Sequence, residues 1–483
     1  MMKKAANILV LLCAVSVFTA VGQQTGAPKK KYNVLFLIAD DLRPEIGCYD
    51  VAGIKSPNID KIAARAMRFD NAYAQYPVCN CSRSSFLTGR YPTQTGVMDN
   101  NTYFRRLHPD WVTLPQYFMN NGYVTLRSGK IFHGGIDDMV SWTEGGEPTN
   151  PNITERGNKP ANGAAAKQRP SDIEGNGSAS ANSSSDRIIV LEGDGETHGD
   201  YLTATRAINM MEKYKDKPFF LAVGFVKPHS PPTAPQKFFD LYDVTKIPLP
   251  IDYGPIPKAP AGFPPISIAS VNSDLFIGRP STPETAREMK RAYWASTSFM
   301  DAQLGRVMDA LKKNNLEDNT IVVFFGDHGY HLGEKGKWSK GYSMYEIGLR
   351  VPLLIAIPNG KAQHTSQVVQ LLDLYPTLAE LCGLPKPPDQ EGHTLVPILK
   401  KPTTKRDIPA YAVVDYKGKT GKSVRTQRWH YVEWEEGQDG AMLFEHPKDS
   451  LEQKNLADDP AYASQVQDMK KLLRLMPDTR VKK

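Results

Sequence analysis

Tyr32-Asn33-Val34-Leu35-Phe36-Leu37-Ile38-Ala39-Asp40-Asp41 is the stretch on which the fold turns. An apolar run ends abruptly in two adjacent carboxylates. A strand with one wet face alternates apolar and polar residues, whereas one covered on both faces reads as a continuous apolar run, so this segment predicts an inner strand of a parallel sheet. Open α/β sheets gather ligands at the carboxyl ends of their strands, where Asp40 and Asp41 fall.

Working outward, Ser56-Pro57-Asn58 opens a helix by N-cap and Pro-at-N1 chemistry. Leu114 to Met119 reads as helix, Tyr123 to Leu126 as strand, and Pro218 to Gly224 as a buried strand. Pro283 to Leu316 carries an apolar stripe at Met289, Tyr293, Ser296, Met300, Leu304, Val307 and Leu311, the spacing of a long helix. Ile321 to Phe325 and Val351 to Ile357 are further strands, the former running into Gly326-Asp327-His328. The alternation predicts an α/β fold, a large, mainly parallel sheet flanked by helices. From Tyr411 the texture changes. Short runs at Tyr411 to Val414, Ser423 to Arg425, His430 to Trp434 and Ala441 to Phe444 predict a small antiparallel sheet, closed by a helix from Tyr462 to Met476. The expected division is a signal segment at 1–22, a catalytic domain at 23–385 and a C-terminal α+β subdomain at 386–483. Asn150 to Arg187 and Pro248 to Pro283 are expected to be irregular, as binding loops or plain insertions.

The chain has 483 residues and a formal net charge of +7, a modest basic excess. With no Lys/Arg run there is no nucleic-acid signature; simple solubility and attraction of a polyanionic substrate both remain open. Met1-Met2-Lys3-Lys4, an apolar run to Ala20 and Val21-Gly22-Gln23 form a secretory signal, too short for a membrane span. Export to the periplasm or cell exterior is expected; Cys13 follows too short an apolar run for a good lipoprotein site. Past the signal only Cys48, Cys79, Cys81 and Cys382 remain, and conversion of Cys79 would leave an odd number, which argues against a disulfide framework.

The chemistry concentrates in Pro77-Val78-Cys79-Asn80-Cys81-Ser82-Arg83-Ser84-Ser85-Phe86-Leu87-Thr88-Gly89-Arg90. A small nucleophile, Cys79, precedes an arginine by one helical turn, at a predicted helix N-terminus that favours anions. Arg83 can fork onto a carboxylate, phosphate or sulfate. Asp40, Asp41 and Asp327 converge at predicted strand ends, where like charges require a cation and oxygen ligands suit Ca²⁺ or Mg²⁺. Lys130 and His133 in Ser128-Gly129-Lys130-Ile131-Phe132-His133, His229 in Lys227-Pro228-His229, and Lys340 in Gly333 to Lys340 also follow strand ends. Singly each reads as solvated charge or a loop histidine; together they make a cationic pocket for one anion.

The Cys79 to Arg90 segment resembles the sulfatase signature, with Cys81 in place of the family's Pro or Ala. The other segments are similar to those of iduronate-2-sulfatases, from about Tyr32 to Leu384. The resemblance implies an alkaline-phosphatase-like fold. It also implies oxidation of Cys79 to formylglycine (3-oxoalanine) by a formylglycine-generating enzyme, and a metal held by Asp40, Asp41, Cys79, Asp327 and His328. By the same resemblance Arg83 and Lys130 hold the diol and sulfate oxygens, His133 is the base, and His229 and Lys340 bind sulfate, one of them protonating the leaving alcohol. The substrate expected is a sulfated saccharide, with a 2-O-sulfated uronic acid of glycosaminoglycans preferred. Tyr330, Asn101 and Arg105 are expected at the pocket mouth, Arg105 against a uronate carboxylate. The rivals are a sulfatase on another sulfated polysaccharide, a phosphoesterase of the same superfamily, and a silent glycan-binding protein left unmodified because of Cys81.

Overall fold

A computed structural model describes residues 31–149 and 187–478. The expected signal segment, residues 1–22, and the irregular stretch from Asn150 to Asp186 lie outside them. The strands in chain order are β1 Asn33–Asp40, β2 Met67–Tyr73, β3 Val124–Gly129, β4 Ile189–Leu191, β5 Phe219–Pro228, β6 Thr233–Pro235, β7 Thr320–Gly326, β8 Arg350–Val351, β9 Leu353–Ala356, β10 Gln363–Gln370, β11 Ala410–Tyr416, β12 Lys419–Arg425, β13 Trp429–Trp434 and β14 Ala441–Glu445.

The main sheet runs β10-β2-β9-β7-β1-β5-β3, with β8 beside β2. β1 is central and parallel to β5 and β7, and β3 is parallel to β5. Every residue of β1 is buried, as its apolar run requires. Val34, Phe36 and Ile38 enter one core, Leu35, Leu37 and Ala39 the other. Each of these side chains larger than Ala39 contributes about 1.5–3 kcal/mol through burial.

The single strand expected at Val351 to Ile357 is instead two, β8 and β9, separated by Pro352, which has no N–H for a ladder. β9 runs antiparallel to both β7 and β2, so the sheet is mixed but mostly parallel. Ser56 occupies the N-cap of the Pro57–Ala63 helix without a side-chain cap. Asp301, from the Pro283–Lys313 helix, accepts the N–H groups of Asn58 and Ile59 instead, at 3.1 and 2.8 Å.

Helices cover both faces. Gly199–Tyr214 and Pro283–Lys313 close one core with Ala204, Met211, Met300, Leu304 and Val307. On the other face lie Cys79–Thr88, Leu114–Asn120 and Leu374–Leu381. The antiparallel sheet β11-β12-β13-β14 joins that second core through Val414, Trp434 and Phe444. Its far side packs on the Ala463–Leu473 helix through Met469 and Leu473. No helix among the described residues is long and apolar enough to cross a membrane. Parallel pairing of β3, β5, β1 and β7 brings their carboxyl ends to one rim, and the chemistry-bearing residues leave from that rim.

Candidate active site

Cys79 is the first residue of the Cys79–Thr88 helix, which is buried along its whole length and stopped by Gly89 in the left-handed region at φ 69°. Cys79 Sγ lies 3.3 Å from Asp40 Oδ1 and 3.2 Å from His328 Nε2. Asp40 closes β1, and Asp41, at φ 61°, turns the chain out of the sheet. Asp327 and His328 follow β7. All four are fully buried. His328 Nδ1 faces the Gly329 carbonyl at 3.0 Å, which can only accept, so Nδ1 carries hydrogen and Nε2 is left facing Cys79.

Cations surround these acids. Lys130 Nζ donates to Asp40 Oδ2 at 2.6 Å, and Lys340 Nζ reaches both Asp41 oxygens at 2.7 and 2.8 Å. Arg83 is buried: Nε donates to Asp327 Oδ2 at 2.9 Å, and an Nη group donates to the Lys130 carbonyl at 2.6 Å. It therefore ties the nucleophile helix to the ends of β7 and β3. His229 Nε2 lies 3.8 Å from Asp41 Oδ2. Lys130 reaches the rim because β3 and β5 approach closely at Gly129 and Gly224. A Cβ on Gly224 would lie 1.7 Å from the Lys130 carbonyl oxygen, and Gly129 sits at φ 77°.

Burial opposes the Cys79 thiolate, but Lys130, Lys340, His328 and a hydrogen bond from His133 together hold the thiol well below its ordinary range. Burial and the adjacent Asp40 push Asp327 up to about 7, while His328, against burial, is raised to about 10 by Asp327 and Cys79. Burial favours the protonated Asp327, and the neighbouring carboxylates and thiol keep a proton on His328. A divalent cation would take the protons' place. Asp40, Cys79, Asp327 and His328 present donor atoms within 4.8 Å of one another, and the carboxylate-rich set fits a hard divalent cation. His229 is raised to about 9: burial and Lys340 oppose its charge, and Asp41 and Asp40 more than restore it.

The structure thus gathers Cys79, Arg83, Lys130, His133, His229, Lys340, Asp40, Asp41, Asp327 and His328. It does not bring Arg105 there as expected. Arg105 pairs with buried Asp138 at 2.6 and 2.7 Å and donates to the Pro109 and Trp111 carbonyls and to Gln116, so its guanidinium is already used in holding the 103–116 segment. Tyr330 is buried; its ring stacks on Tyr293, whose hydroxyl donates to the Asp41 carbonyl at 2.8 Å, and its own hydroxyl donates to Asp274 Oδ2 at 2.6 Å. Asn101 is exposed on a loop clasped to the nucleophile helix by Asn80, whose amide donates to the Asp99 and Thr102 carbonyls at 2.8 Å.

Several contributors were missed. Asp274, from the irregular Pro-rich stretch, receives the Ser230 and Tyr330 hydroxyls and so fixes the residue after His229. Buried Asp200 accepts the N–H groups of Val226 and Lys227 at 2.8 and 2.9 Å, setting the end of β5. Asp200 lies in the first turn of its helix, a capping signal that could have found it; Asp274 has no such signal. The four cysteines among the described residues are all free, and Cys81 Sγ contacts the Asp99 carbonyl.

The family profile described as Sulfatase matches residues 32–384, and that of the N-sulphoglucosamine sulphohydrolase C-terminal region matches 333–478. The chain is 37% identical over 403 residues to mouse (Mus musculus) iduronate 2-sulfatase, covering 74% of this chain and 69% of that protein. It is 32% identical over 492 residues to a sulfatase from Formosa agariphila, covering 98% and 92%. Among solved structures it resembles a phosphonate monoester hydrolase from Silicibacter pomeroyi, with TM-score 0.73 at 21% identity over 94% and 97% of the two chains.

Proposed function

This chain belongs to the sulfatase family, and from that premise we propose that it removes sulfate from an anionic sugar, with a 2-O-sulfated uronic acid of glycosaminoglycans as preferred substrate. The observation that carries the reading is the position of Cys79 at a helix N-terminus, 3.3 Å from Asp40 and 3.2 Å from His328, ringed by Lys130, Lys340 and His229. The identity to iduronate 2-sulfatase supports the substrate class.

Asp40, Asp41, Asp327 and His328, with the side chain at position 79, would hold the cation, Ca²⁺ by their oxygen-rich chemistry and Mg²⁺ next. When bound, that cation neutralises sulfate charge and makes sulfur more electrophilic. Formylglycine at position 79, installed by a formylglycine-generating enzyme, would supply an oxygen nucleophile. Lys130 and Lys340 attract the sulfate oxygens, and Arg83 keeps the helix carrying residue 79 fixed against β7. His133 accepts a proton at the nucleophile, and His229, protonated at neutral pH beside Asp41, delivers one to the leaving alcohol oxygen. The basic, apolar N-terminus supports export to the periplasm or cell exterior.

The tryptic peptide Phe69 to Arg83, taken from protein made in its native host, tests the nucleophile by mass: aldehyde in place of thiol is expected, and an unmodified thiol in an active preparation would remove the mechanism. Turnover of a 2-sulfated uronate disaccharide tests the substrate. The likeness to a phosphonate hydrolase makes aryl phosphate and phosphonate the needed comparison, and faster turnover of either than of aryl sulfate would favour the phosphoesterase reading.

A further inference from the structure

Outside the Cys79 cluster, four more side chains with metal-ligating chemistry meet. Glu346 opens a helical turn, His430 lies on β13, His446 follows β14, and Glu452 sits in the turn beyond. Their donor atoms lie within 4.8 Å of one another, and none of the four residues is more than 8% exposed. Glu452 Oε1 makes a short contact with His430 Nδ1 and lies 3.1 Å from His446 Nε2. Its other oxygen accepts the Glu346 N–H at 2.7 Å. The Glu346 carboxylate accepts from the Tyr73 hydroxyl at 2.8 Å and lies 3.4 Å from Arg425 Nε.

A single carboxylate oxygen of Glu452 faces both imidazoles, so the two rings converge on one buried point. Two imidazoles and two carboxylates are a donor set for a tetrahedral, borderline-soft cation; a hard cation such as Ca²⁺ takes six to eight oxygens. The Tyr73 hydroxyl, Arg425 and the Glu346 N–H hold the carboxylates in place, as outer partners do around ligated metals.

We propose that Glu346, His430, His446 and Glu452 form a structural zinc site that fastens the C-terminal sheet to the catalytic core. With four protein ligands the site is closed and has no position for substrate. It joins β13 and the chain beyond β14 to a turn shortly after Lys340, so zinc would steady the segment that delivers Lys340 to the rim.

The full-length protein, stripped with chelator and re-equilibrated with zinc alone, is compared with His430→Asn/His446→Asn and with Asp327→Asn. Wild type should hold about one zinc per chain more than the double variant, Asp327→Asn should still hold one, and zinc should raise the thermal midpoint of stripped wild type more than that of the double variant. Equal zinc in wild type and the double variant, including none in either, overturns the proposal and leaves the group an ion-pair network. If the double variant does not fold, cobalt replaces zinc in wild type and in Asp327→Asn. Intense visible bands of tetrahedral Co²⁺ in both support the site, and their absence from both, or their loss in Asp327→Asn alone, overturns it.

Discussion

The floor of the site and the irregular loops of the same chain are held by different kinds of force. On the floor, Asp40, Lys130, His229 and Asp327 sit at or just past the ends of β1, β3, β5 and β7, whose backbone ladders fix their spacing. In the loops, the 99–113 and 248–282 segments are irregular apart from short helical turns and are clipped down by side chains: Asn80 on one loop, Arg105 on Asp138, Asp274 on Ser230 and Tyr330. Floor geometry is thus shared among many bonds, while loop geometry depends on a few. The difference teaches that a change in the loops should disturb the reaction less than one on the floor.

The strongest test lies on the floor. Cys79→Ala removes the nucleophile and a side chain too small to matter for packing, so turnover should drop at least 10³-fold, about 4 kcal/mol of barrier, with the melting curve nearly unchanged. An active alanine variant would break the mechanism. Asp327→Asn should come next. It takes charge from the Arg83 pair and the metal group together, with an expected stability loss of about 3–5 kcal/mol and activity that chelation of the wild type reproduces. Full activity after verified metal removal would overturn the cation's place in the floor.

In the loops, Arg105→Ala should leave buried Asp138 short of a partner at a cost of about 1–3 kcal/mol, and turnover of uronate and aryl sulfates should fall alike. A loss confined to the uronate substrate would return Arg105 to substrate binding. Asp274→Ala strands the buried Ser230 and Tyr330 hydroxyls, so kcat/KM should fall about 10-fold with a stability loss of about 1–3 kcal/mol. The effect narrowest in range, confined to alkaline pH, concerns Lys337, whose amine is drawn down to about 8 by burial, against the pull of Asp274. Between pH 8 and its ordinary 10.5 the unfolded chain keeps this proton and the folded chain does not, so stability from this group rises with pH, by about 1.4 kcal/mol per unit. Chemical denaturation across that range should show the rise in wild type and its loss in Lys337→Met; equal slopes would contradict it.

Much of the floor was legible because burial on both faces leaves a one-dimensional mark. β1, β5 and β7 are apolar runs, and the residues after each run mark the rim. β2 and β10 escaped notice because each is only partly buried and carries polar residues such as Arg68, Asp70, Gln363 and His364. The loops left no such mark. Arg105 stands in the sequence as a free cation, and only the fold reveals that Asp138, 33 residues on, has claimed it. The partner of Tyr330 was hidden in the same way: its hydroxyl binds Asp274, an acid in a segment without periodicity.

The distance along the chain between Cys79 and the residues that bury it also sets a clock. Cys79 is 1% exposed once folded, and His328, which closes over it, is made 249 residues later. At about 5–20 residues per second that interval is roughly 10–50 s of synthesis. Any enzyme that must handle the Cys79 thiol has that interval, and whatever delay precedes folding, in which to work; after closure the same thiol is out of its reach.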